Sequence, residues 1–115
     1  MSWVADIILL AGLEERFLGK QVGGEPAAVA AINSWLDSQD WAPLVPIDEH
    51  IQSEKAFQAC AYGAALNHLD IPGFLKVIAK QSWQAPDAVL LLIKNEEERA
   101  FSVYRFKAGK LVLQS

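Results

Sequence analysis

Two aliphatic runs limit what this chain can fold into more than any other feature. The first is Trp3-Val4-Ala5-Asp6-Ile7-Ile8-Leu9-Leu10-Ala11, and the second is Ala88-Val89-Leu90-Leu91-Leu92-Ile93. Both are rich in aliphatic and β-branched residues, and neither repeats at helical spacing, so each predicts a strand buried on both faces. The longest membrane candidate, Ile7 to Gly12, is closed by Glu14, Glu15 and Arg16, far short of the roughly 20 apolar residues a bilayer crossing needs. The runs therefore predict central strands of a globular sheet, with no membrane partner.

The segments between and after them supply the other elements. Gly19, Gly23 and Gly24 make the stretch from Gly19 to Pro26 a loop. Pro26 suits the first turn of a helix, and Val29, Ile32 and Leu36 repeat at helical spacing up to about Ser38. Asp40 to Pro43 predicts a turn. Leu44-Val45-Pro46-Ile47 predicts a short strand at a sheet edge, because its prolines cannot donate to a ladder. From Glu54 to Leu66 the alanines favour helix, but Phe57, Ala59, Ala61 and Gly63 alternate with their neighbours, and strand is the expectation. Asp70-Ile71-Pro72 has the form of a helix start, followed by an apolar face of Phe74, Leu75, Val77 and Ile78 that fails before Pro86. After the second aliphatic run come a charged turn from Asn95 to Arg99, a strand from Phe101 to Phe106, a turn at Ala108-Gly109 and a last strand at Leu111 to Leu113.

The predicted order, β-α-β-β-α-β-β-β, belongs to the α+β class. Its first six elements match the split βαβ arrangement of ferredoxin-like domains: an antiparallel or mixed sheet with two helices on one face, here extended by a C-terminal hairpin. The face without helices then needs cover, and either a homodimer or the long loops can supply it. All 115 residues fit one domain, since a chain of this length with 52% apolar residues supports a single core.

Charge and cysteine content narrow the partners. A net charge of −4 argues against nucleic acid, whose phosphates call for a basic surface, and is compatible with a basic protein partner. The single cysteine, Cys60, forms no internal disulfide. No Lys or Arg precedes the first apolar run, and Asp6 interrupts it, unlike a secretory leader. The expectation is a cytoplasmic protein.

Residues with chemical potential are few. Asp48-Glu49-His50 is the densest polar cluster, but adjacent positions rarely converge on one ion, and no His-x-x-x-His or Cys-x-x-Cys pair exists. No metal and no cofactor is expected, and the glycines make no phosphate loop. Cys60 with His50 or His68 would make a thiolate–imidazole pair if the fold brought them into one polar pocket. Glu96-Glu97-Glu98 reads as a solvated hairpin turn or as an acidic contact for a cationic partner. Trp41 and Trp83, at element ends beside Pro43 and Pro86, are the expected partly exposed anchors, while Trp35 falls on a helix near Ile32.

The string Ala64-Ala65-Leu66-Asn67-His68-Leu69-Asp70-Ile71-Pro72-Gly73-Phe74-Leu75, followed by Trp83, Pro86 and Val89 to Lys94, resembles small bacterial proteins of unknown role, some of them proposed immunity proteins. That resemblance spans about half the chain and carries no catalytic motif. It transfers no functional residue. The acidic surface and the aromatic residues lead instead to the expectation of a non-catalytic binding module, in its most concrete form an immunity or inhibitor protein, with Asp48, Glu49 and Glu96 to Glu98 steering a basic partner and Trp41 or Trp83 anchoring it. The alternative is a small enzyme or ligand carrier with a pocket between sheet and helices, using His50, Cys60 or His68.

Overall fold

The computed structural model describes residues 3–114. Its sheet has six strands: β1 (Val4–Leu10), β4 (Val45–Pro46), β5 (Ala61–Asn67), β6 (Leu90–Asn95), β7 (Ser102–Lys107) and β8 (Lys110–Gln114). They lie in the order β4-β5-β1-β6-β7-β8, and every pairing is antiparallel. A separate two-stranded ribbon, β2 (Gln21–Val22) and β3 (Glu25–Pro26), precedes the main helices. The helices are α1 (Leu13–Phe17), α2 (Ala27–Ser38) and α3 (Ile71–Ala79). The crossover from β1 through α2 to β4 skips β5, and the crossover from β5 through α3 to β6 skips β1. This is the split βαβ arrangement, and the fold is α+β.

Strand alternation sorts the sheet into two unlike faces. One presents Ala5, Ile7 and Leu9 of β1, Tyr62 and Leu66 of β5, and Leu91 and Ile93 of β6. These form a single cluster with Val29, Ile32 and Leu36 of α2 and with Phe74, Val77 and Ile78 of α3. The opposite face presents Ile8 and Leu10, Leu90 and Leu92, Val103, and Ala61 and Gly63. None of its large side chains belongs to the core cluster. The expectation of strands buried on both faces is thus corrected for β1 and β6. Alternate residues are fully buried under the helices, and the intervening ones are half-buried on a face that carries no helix.

Local chemistry explains the boundaries. Asp70 caps α3, its Oδ1 accepting from Gly73 N at 3.1 Å, and Pro72 lies in the first turn as expected. α2 ends in paired bonds from Asp40 N to Asp37 O and from Trp41 N to Leu36 O, both 3.1 Å or shorter, with Asp40 left-handed at φ 65°. This is a Schellman stop made without glycine. At Gly63 a Cβ would stand 3.1 Å from Ile47 Cδ1 and 3.2 Å from Ile7 O, so only glycine lets Ile47 fold over β5 on the helix-free face.

Three expectations change here. The stretch from Gly19 to Pro26 contains the β2–β3 ribbon, turned at Gly23 and Gly24 with φ of 58° and 85°. The five-residue α1 was not foreseen. The strand expected over 54–66 is confined to its last part, Ala61 onward, and residues 51–60 form an irregular loop.

Candidate functional site

Buried charge gathers at the end of the sheet where β1 finishes and β5 begins. Asp48, in a 3-10 turn (Asp48–His50), is only 8% exposed. Its Oδ2 accepts from Cys60 N at 2.7 Å and Ala59 N at 3.1 Å, and its Oδ1 from Ala61 N at 3.0 Å. Arg16 Nη2 donates to the same Oδ2 at 2.8 Å. The amides ahead of β5 lack ladder partners, and Cys60, left-handed at φ 52°, turns the chain so that three of them converge on one carboxylate. Burial by itself would raise the Asp48 pKa. The Ala61 and Cys60 amides and Arg16 outweigh it and hold the carboxyl below its ordinary range. Burial likewise works against the Arg16 charge, and the Asp48 hydrogen bond overcomes it, leaving that pKa raised.

α1 ties this turn to the rest of the molecule. Glu15, next to Arg16, is buried and accepts a hydrogen bond from Gln84 N. Cys60 is fully buried and its thiol lies 4.0 Å from Tyr62 Oη. Burial pushes both the Cys60 thiol and the Tyr62 phenol up, so Cys60 is held as a thiol, the form that is neither nucleophile nor ligand.

Two clefts open over this framework. One, of about 430 Å³, is lined by Arg16, Pro46, Asp48, Glu49, Ile51, Ala56 and Phe57. The other, of about 340 Å³, shares Arg16, Pro46 and Glu49 and adds the β2–β3 ribbon, Glu25 and Tyr62. Among the described residues, six of the eight exposed large apolar side chains, Phe17, Leu18, Val22, Val45, Ile51 and Phe57, come from the segments flanking these clefts. Their exposure runs from 38% to 71%. Of these, Ile51 and Phe57 line the first cleft themselves. A third concavity, about 500 Å³ beside β7 and β8, is lined by residues of that hairpin alone.

The sequence-predicted residues fall into three groups. Asp48 and Glu49 are at the clefts, but Asp48 is an internal tie, and Glu49 is exposed at the rim with its Oε1 3.8 Å from His50 Nε2. Trp41, His68 and Glu96 to Glu98 lie at the opposite end of the sheet. There Trp41 Nε1 donates to Asn67 O at 2.7 Å, His68 meets the Trp3 ring edge-on at 5.7 Å, and Glu98 closes its own turn by accepting from Asn95 N. Trp83 is 7% exposed with Nε1 donating to Ile78 O at 3.0 Å, which corrects its reading as a partly exposed anchor. Nor is there one polar pocket of His50, Cys60 and His68. Cys60 and His68 bracket the seven-residue β5, roughly 25 Å apart at about 3.3 Å per residue, and His50 points to solvent. Among the described residues no group of three His, Cys, Asp or Glu side chains is placed to hold a metal. Arg16, Ile51 and Phe57, which build the clefts, were not singled out by the sequence.

Comparison with protein-family models, with curated proteins and with solved structures gives no significant match to this chain.

Proposed function

We propose that this protein is a non-catalytic binding module that grips a segment of a partner protein across the paired clefts around Arg16. The observation that carries the reading is the concentration of exposed apolar side chains, Phe17, Leu18, Val22, Ile51 and Phe57, around a floor already fixed by the Asp48 network. Arg16 is neutralised by Asp48, so Glu25 and Glu49 leave the rim with net negative charge. A partner segment presenting an apolar side chain beside a cation fits it, and a fixed floor lowers the ordering cost of binding. The most concrete form is an immunity or inhibitor protein acting on a basic partner, and a buried free thiol suits the reducing cytoplasm.

The test compares the wild type with an Ile51→Asp/Phe57→Asp variant, both residues being exposed, as immobilised baits and then in calorimetric titrations of the retained protein. The expected result is a stoichiometric partner whose affinity falls at least tenfold with the variant, and falls with added salt, while near-UV circular dichroism shows the variant folded. A partner that binds both forms equally would place binding elsewhere and end this reading.

A further inference from the structure

We propose that the helix-free sheet face is the contact surface of a homodimer, in which two copies pack face to face with their strands running in opposite directions. This surface is separate from the clefts, and the proposal stands or falls independently of the function assigned to them.

The face is apolar in its middle and charged at its ends. Ile8 pairs with Leu92, which pairs with Val103, and Leu10 pairs with Leu90. These side chains are only half-buried and lie outside the core cluster. An apolar sheet face with no second layer is rare in a protein that stays monomeric. At one end, Arg105 and Lys107 of β7 and Lys110 of β8 alternate onto this face, and all three are exposed. At the other end Asp6 and Lys94 face each other at 3.7 Å, and just beyond them comes the exposed turn Glu96-Glu97-Glu98, held by the bond from Glu96 N to Val4 O at 2.9 Å. The exposed acidic side chains near the basic end, Glu14, Glu49 and Asp87, belong to α1, to the 3-10 turn Asp48–His50 and to the 3-10 turn before β6, all outside the ladder.

The ends are about 20 Å apart, since β6 has six residues rising about 3.3 Å each. This exceeds the Debye length of about 8 Å at physiological salt, so each end acts as its own local field. Two stacked sheets keep their strands within about 30° of one another, parallel or antiparallel. A two-fold axis along the strands lays each end of the sheet over the same end of the partner, so the acidic turn never meets the basic hairpin. An axis in the interface and across the strands instead lays the β6–β7 acidic turn of one copy over the basic β7–β8 hairpin of the other, twice per dimer. It also stacks β6 and β7 on their own counterparts, apolar centre on apolar centre. Of the two arrangements only the second lays the acidic β6–β7 turn on the basic β7–β8 hairpin, a complementarity that a second copy supplies.

With β5 covered by Ile47, four strands, β1, β6, β7 and β8, at about 4.8 Å spacing and about 20 Å length give a flat footprint of roughly 380 Å² per copy, at the low end of specific interfaces.

Sedimentation velocity over a concentration series tests the proposal with four variants. The wild type is expected to dimerise at micromolar concentrations, and Leu92→Glu to be monomeric. Because Leu92 is half-buried, loss of the dimer in its variant does not by itself separate contact from misfolding, and the decisive pair uses exposed residues. Lys107→Glu/Lys110→Glu should raise the dimer Kd at least tenfold, and adding Glu96→Lys/Glu97→Lys to it should restore the dimer. A wild type that stays monomeric at 100 μM would overturn the proposal. So would a dimer unmoved by the charge reversal, or one broken by Leu113→Pro but not by Leu92→Glu, which would place the contact at the β8 edge.

Discussion

Replacing Asp48 with alanine should cost more stability than any other single polar truncation in this protein. The substitution removes the acceptor for three backbone amides and for Arg16. Cys60 and Ala61 are buried, so their amides lose the acceptor without regaining water, at about 1–3 kcal/mol each. The Arg16 side chain is 36% exposed and recovers solvent, so its share is at most about 1 kcal/mol. Relief of the carboxylate's own desolvation offsets part of this, leaving a net loss of about 2–4 kcal/mol. Urea unfolding followed by tryptophan fluorescence should show the midpoint falling by about 0.7–4 M, given slopes of about 1–3 kcal/mol/M.

The same residue gives a signature in pH. Its folded pKa lies below the unfolded value, so the unfolded chain takes up the proton first on acidification. The stabilisation is therefore complete above the unfolded pKa and lost as pH falls through the folded one. The stability gap between wild type and Asp48→Asn, which cannot titrate, should be constant above about pH 5 and start to narrow below about pH 4, shrinking as pH falls through the folded pKa. A loss under about 1 kcal/mol for Asp48→Ala, or a gap constant from neutral to acid pH, would refute the tie.

Two further outcomes follow from the fold. Trp83→Leu should cost about 2–4 kcal/mol, through lost burial and the lost bond to Ile78 O. Trp41→Leu, at a half-buried site against Trp35, should cost about half as much, and thermal melts of the two variants would check the order. Asp40→Gly should raise stability by about 0.5–1 kcal/mol, because Asp40 is left-handed and exposed at the Schellman stop.

The sheet and main helices were legible because each carries a short-range signal: two aliphatic runs, the Asp70–Pro72 helix start, and turns at Asn95 to Arg99 and Ala108-Gly109. The boundary of β5 was not. Alternation ran unbroken from Phe57 to Gly63, but the Asp48 carboxylate captures the amides of residues 59–61 and ends the extended backbone there. That competitor sits 11 to 13 residues away in sequence, beyond any local pattern. The clefts were illegible for the same reason, since Arg16 and Asp48 are separated by 32 positions. Glu15 and Arg16 read only as the end of an apolar run. One usable signal was present: charges placed directly after a buried strand must either turn to solvent or find partners inside, and these two found partners.

Buried carboxylates are a poor way to gain stability, because apolar packing of the same volume usually does as well or better. This chain nevertheless buries two, Glu15 and Asp48, at one end, and none of the large side chains of its helix-covered core is charged. Through adjacent residues of a single five-residue helix they fasten Gln84, after α3, and the segment from Asp48 to Ala61 to one another. α1 thus works as a polar clip that fixes loops which a short apolar core could not hold. The loops so fixed are those that present Ile51, Phe57 and Glu49 to solvent. If the network served stability alone, a hydrophobic replacement of the Arg16–Asp48 pair would leave binding at the clefts intact. The clip reading expects the reverse: Arg16→Met/Asp48→Leu, even where it melts no lower than the wild type, should loosen residues 48–60 in hydrogen exchange and weaken partner binding.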